Sequence, residues 1–202
     1  MPNVFGQDVT SVDEILACVR RHGDALRGTY RARYVFDERT VDPYSGVALE
    51  RPAPLVGNPP GVAYPWEQVF LAAAACAGSD YPMLAGHLGV PLTRVAFTVA
   101  GVFDPRGEFD GLDGYHAPAD AAPCYLSLHL EATLTSTAPE AELAAIHRRV
   151  IERNMVLGAL RGIPCTDALR IERPPARGAD APRAATPPAP REAGCTTPSP
   201  QP

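Results

Sequence analysis

The chain has 202 residues, a hydrophobic fraction of 46% and a formal net charge of -5, which suits one domain, or one domain with appendages, built on a single core. Its 18 Lys and Arg are scattered among 23 Asp and Glu with no basic block, so composition gives no nucleic-acid footprint and no attraction to an anionic membrane. The start lacks a basic and then apolar leader, and the longest apolar run, Val69 to Ala77, is too short to span a bilayer, so a cytoplasmic protein with no membrane partner is expected.

Ser11 is placed to cap a helix from about Val12 to Leu26, with Glu14 three residues after the cap and Val12, Ile15, Leu16 and Val19 on one stripe. Tyr30, Ala32, Tyr34 and Phe36 then alternate with Arg31 and Arg33, the pattern of a strand with both arginines on its polar face. Val41 to Pro65 is rich in Pro and Gly and predicts an irregular excursion. Pro65 opens an alanine-rich helix containing Cys76, and Pro82 is expected to kink or end it, giving two helical pieces up to Leu88. Val95, Phe97, Val99 and Phe103 predict a strand. Leu126, Leu128, Leu130, Ala132 and Leu134 predict another, with Ser127, His129, Glu131 and Thr133 facing out. Between them lies a loop of about twenty residues, Asp104 to Pro123, long enough to suggest function.

A last long helix is expected from Thr137-Ala138-Pro139 to about Leu160, with Leu143, Ile146, Val150 and Leu157 as its buried stripe. Asn154 falls on that stripe, an unusual place for an amide. A short strand, Thr166 to Glu172, follows. Residues from Pro174 to Pro202 form a Pro/Ala-rich tail that cannot bury a core. The resulting division is an N-terminal helical extension over 1–28, a folded domain over 29–173 and a disordered tail over 174–202.

Five cysteines, Cys18, Cys76, Cys124, Cys165 and Cys195, are odd in number and widely spaced, which argues for reduced thiols and against a disulfide framework or a structural zinc site. His87, His116 and His129 have no spacing for a metal site or a Cys-His dyad, so no metal or cofactor is expected. Cys76, set among small alanines, either fills the core or faces a cavity where chemistry occurs.

Four stretches resemble the OsmC/Ohr superfamily, which includes thiol-dependent organic hydroperoxide reductases, over roughly Arg31 to Glu172. They are Pro65-x-Glu67 opening the helix of Cys76, Gly89-Val90-Pro91-Leu92 leading into a strand, Gly101-Val102-Phe103-Asp104-Pro105-Arg106-Gly107 after it, and Ser136-Thr137-Ala138-Pro139 entering the last helix. The resemblance implies an α+β fold with antiparallel sheets around central helices and an intertwined homodimer with its sites at the subunit interface. Helix geometry points the same way: nine residues separate Glu67 from Cys76, about 13 Å along one straight helix and on opposite faces, whereas two antiparallel copies can bring them together.

By the same resemblance Cys76 is the peroxidatic cysteine and Glu67 the carboxylate that orients an arginine beside it. Arg31, Arg33 and Arg39 compete for that role, with Arg33 preferred, because a guanidinium near the sulfur favours the reactive thiolate. Arg106 and Asn154 are candidate substrate-binding residues. Where the family carries a second, resolving cysteine on the final helix, this sequence has Asn154 and Met155. Asp80, one turn after Cys76, would oppose a thiolate if unpaired. Two functions follow: reduction of a small organic hydroperoxide through Cys76 with regeneration by an external thiol reductant, or an OsmC-like protein that uses Cys76 for other covalent chemistry or binds a small apolar ligand at the dimer interface.

Overall fold

The computed structural model describes residues 3–4, 7–8, 16–17, 19–21, 28–40, 42, 46–50, 65–121 and 125–175. Two two-residue strands, β1 (Asn3–Val4) and β2 (Gln7–Asp8), pair with each other. The main sheet has five strands, β3 (Gly28–Phe36), β4 (Val47–Glu50), β5 (Arg94–Phe103), β6 (Tyr125–Thr135) and β7 (Cys165–Glu172), in the order β4-β3-β5-β6-β7. Its helices are α1 (Pro65–Leu88), α2 (Glu140–Arg153) and α3 (Met155–Ala159). The N-terminal helical stretch is represented by residues 16–17 and 19–21, where Leu16 and Val19 are buried. Its proposed cap at Ser11, the tail beyond residue 175, and Cys18, Cys124 and Cys195 lie outside the described residues.

Strand alternation decides what faces what. Tyr30, Ala32 and Tyr34 of β3, Val95, Phe97 and Val99 of β5, and Leu128, Leu130, Ala132 and Leu134 of β6 are all buried on the side covered by helices. Arg31 and Arg33 point the other way. Helix α1 lies on the buried side through Phe70, Ala73, Ala74, Ala77, Tyr81 and Ala85. Two glycines set its position: a Cβ at Gly78 would come within 2.3 Å of the Tyr34 ring, and one at Gly101 within 2.4 Å of Phe70. The middle of α1, just past Cys76, therefore lies over the β3 end carrying Tyr34, and its N-terminal end lies over Gly101.

The structure corrects four expectations. Helix α1 runs without interruption from Pro65 to Leu88, with Pro82 inside it. An interior proline costs about 3 kcal/mol in a free helix, but Tyr81 and Ala85 on either side are buried against the sheet and hold the line. The last helix, by contrast, is broken at Asn154, whose ψ of 133° ends α2 and starts α3. The strands form one main sheet that is not wholly antiparallel, because β7 returns through α2 and α3 to lie parallel to β6, as a helical crossover permits. Finally, the irregular excursion holds an edge strand, β4, paired antiparallel with β3.

Candidate active site

Cys76 is half-buried on the side of α1 turned away from the sheet, where Asn154 reaches it from the α2–α3 junction. Four polar contacts fix the amide. Its Oδ1 accepts from the backbone N–H of Val156 at 3.1 Å and of Leu157 at 3.0 Å, capping α3. Its Nδ2 donates to Asp80 Oδ2 at 2.8 Å and to Cys76 Sγ at 3.2 Å. Because the backbone N–H groups demand an oxygen, the amide cannot be reversed, and a donor is committed to the sulfur. An N–H aimed at sulfur serves a thiolate better than a thiol. Asp80, which as an unpaired carboxylate would oppose such a charge, is instead bound to that same amide.

Behind Asp80 runs a chain of hydrogen bonds that no residue spacing announces. Tyr81 Oη lies 2.7 Å from His147 Nδ1, and His147 Nε2 lies 3.0 Å from Asp167 Oδ2. A carboxylate accepts, so His147 Nε2 carries a proton toward Asp167, and in the neutral ring Nδ1 is left to accept from the tyrosine hydroxyl. Burial first, then the charges of Asp167 and Asp80, push the Tyr81 phenol well above the usual tyrosine value. Tyr81 is fully buried and His147 nearly so, so the chain ties α1, α2 and β7 together next to Asp80.

The other candidates from the sequence do not gather here. Glu67 is fully buried one turn before Phe70, on the sheet side of α1. Phe70 packs edge-on against Tyr125, and Tyr125 against Phe103, so Glu67 belongs to the end of the sheet where β5 runs out. Immediately after β5, Arg106 makes a buried two-point ion pair with Asp104, Nε to Oδ1 at 2.9 Å and a terminal nitrogen to Oδ2 at 2.7 Å. Arg106 is 4% exposed and Asp104 is fully covered. Glu67 and this pair thus lie toward one end of α1, and Cys76 with Asn154 further along.

Arg33 requires a correction. It lies on the face of the sheet opposite α1, with Arg31, because each follows a buried residue of β3 in strict alternation. A strand cannot turn one residue to the other face without moving its whole set. Arg39 is exposed in the turn after β3. Neither serves Cys76 of its own chain. Of the described cysteines, Cys76 and Cys165 are free thiols. Cys165 is exposed at the start of β7, and burial of its sulfur followed by the Asp167 charge raises its pKa, the wrong direction for a reactive thiolate.

No family model matches the chain, and no curated protein does. Solved structures similar to it include an OsmC-like protein from Mycoplasma pneumoniae, at 17% identity over 57% of this chain and 77% of that one, with a TM-score of 0.42. A structural genomics target aligns at 12% identity over 63% and 84%, with a TM-score of 0.46. A hypothetical protein from Aquifex aeolicus aligns at 11% identity over 55% and 75%, with a TM-score of 0.42.

Proposed function

We propose that this chain reduces small organic hydroperoxides through Cys76, using an external thiol to complete the cycle. The observation that carries the reading is the amide of Asn154, locked by two backbone N–H groups and Asp80 so that its N–H addresses Cys76 Sγ. The thiolate attacks the terminal oxygen of the hydroperoxide, the O–O bond breaks, and the alkoxide takes a proton and leaves as alcohol. Cys76 is left as a sulfenic acid. One external thiol then forms a mixed disulfide with loss of water, and a second releases Cys76 as thiol and leaves as the external disulfide. The amide occupies the side of Cys76 where a resolving thiol would otherwise stand, which is why the reductant must come from outside.

The proposal includes a homodimer. The side of α1 away from the sheet carries Gln68, Ala72, Cys76, Met83 and Gly86, and Ala72 is small and exposed. Two copies of α1 crossing antiparallel about a twofold axis near Ala72, midway between Glu67 and Cys76, would set the Glu67 end of each beside the Cys76 of the other. The buried Arg106–Asp104 pair lies toward that same end, so the cation for the site would come from the partner copy.

Turnover of cumene hydroperoxide with a dithiol reductant tests the reading. Cys76→Ser is expected to lower it by at least 100-fold and Cys165→Ser by less than twofold. Equal loss in both folded variants would make Cys165 a resolving thiol and overturn the single-cysteine cycle. Absent turnover in the wild type, with Cys76 still alkylated rapidly, would move the chain to other covalent chemistry at the same sulfur.

A further inference from the structure

The sheet face opposite α1 is a second place where chemistry gathers. Central strand β5 places Ala96, Thr98 and Ala100 there as a low floor, flanked by Arg31 and Arg33 of β3 on one side and by His129, Glu131 and Thr133 of β6 on the other. Arg94, Arg170 and Glu172 close one end. Ala96 and Ala100 are only 6% and 8% exposed, so the floor is well shaded. The resulting trough has a volume of about 440 Å³, within the range of small-molecule sites.

Its charge runs against that of the chain. Four arginines and two glutamates line it, leaving two positive charges in a protein whose formal net charge is -5. Arg170 faces Glu131 at 3.9 Å, and Glu172 accepts from Thr135 at 3.5 Å. Arg33 and Arg94, by contrast, have no carboxylate within ion-pair distance among the described side chains. In the strand register Arg33 stands between Ala48 and Thr98, with no acid beside it, while Arg31 stands opposite Glu50. Arg31 and Arg33, two residues apart on one face, are about 7 Å apart at their Cα atoms. Two guanidiniums at that spacing, with the Thr98 hydroxyl adjoining, offer more donors than one carboxylate can accept and match an oxyanion with several acceptor oxygens.

We infer that this trough binds a small organic phosphate, its phosphoryl oxygens held by Arg33 and Arg31 above Thr98. The site is independent of the Cys76 chemistry, because the sheet separates the two faces. It also stays open if α1 pairs with a second copy. Calorimetric titration of the full chain with inorganic pyrophosphate, at low ionic strength and again at 150 mM salt, tests it against three variants of verified fold. Saturable binding at one site per chain is expected in the wild type. Arg33→Gln should weaken it at least tenfold, Arg31→Gln/Arg33→Gln should abolish it, and Arg149→Gln, an exposed arginine on α2, should leave it unchanged. Alkylation of Cys76 should be the same in all of them, which separates failure of this site from failure of the peroxidase reading. Absence of saturable binding would overturn the inference, as would equal weakening by Arg149→Gln, the mark of diffuse charge attraction, or full binding by the double variant.

Discussion

Replacing Asn154 separates its structural work from its chemical work. Asn154→Ala removes the cap on α3, worth about 1 kcal/mol, and takes from Asp80 the donor at 2.8 Å, worth roughly another 1–3 kcal/mol for a partly buried carboxylate. At roughly 2–4 °C per kcal/mol for a domain of this size, Tm should fall by about 4–16 °C. Asn154→Asp keeps a good cap oxygen for Val156 and Leu157 but sets a second carboxylate against Asp80 and Cys76. Two carboxylates that close cannot both ionise, so one retains a proton at neutral pH. That group has a raised folded-state pKa, so its stabilising share is present in acid and lost as pH rises. The variant should thus approach wild-type Tm near pH 4 and fall behind it by pH 7. Facing a carboxylate in place of an N–H, the sulfur should lose thiolate. The midpoint of the pH–alkylation profile should move up by about one unit or more, an approximately tenfold slower reaction with iodoacetamide at pH 7. Stopped-flow alkylation and differential scanning calorimetry on the same samples measure both. A profile for Asn154→Asp that overlays the wild type, in a folded protein, would refute the claim that this amide sustains the reactive sulfur.

Ala72→Arg places a long charged side chain at the proposed twofold axis, and sedimentation should then find monomers where the wild type gives dimers. An unchanged dimer would put the interface elsewhere. Burial raises the pKa of Tyr125 from 10.0 to about 12 and that of Tyr81 still further. Both groups contribute stability that is complete below pH 10 and is lost as pH rises above it, because the unfolded chain gives up those protons first. Tyr81→Phe should therefore flatten the fall in Tm above pH 10 and lower Tm near neutrality through the lost bond to His147, whereas an alkaline slope identical to wild type would remove Tyr81 from that account.

The parts of the fold that were legible in the sequence are those written by periodicity. Tyr30, Ala32 and Tyr34 announce β3, Leu128 to Leu134 announce β6, and Leu143, Ile146 and Val150 announce the inward stripe of α2, because burial follows a period of 2 or 3.6. Local rules failed where tertiary packing overrode them. Pro82 reads as a break, but the packing of Tyr81 and Ala85 carries the helix through it. Asn154 reads as an amide inside a helix, but its side chain finds two backbone N–H groups, Asp80 and Cys76, and gives up helical backbone to reach them. Alternation itself places Arg33 on the polar face, away from the side of the sheet that carries α1. The Tyr81–His147–Asp167 chain joins residues 66 and 20 positions apart on three elements, a contact that no single-sequence pattern encodes.

In the proposed cycle the sulfur of Cys76 takes an oxygen atom from a hydroperoxide. The direct measurement is peptide mapping of the full chain after brief exposure to stoichiometric cumene hydroperoxide with dimedone present to trap sulfenic acid. One adduct per chain is expected, on the peptide containing Cys76, absent from Cys76→Ser and much reduced in Asn154→Asp. A folded protein whose Cys76 stays unmodified, or whose adduct sits on Cys165, would contradict the account.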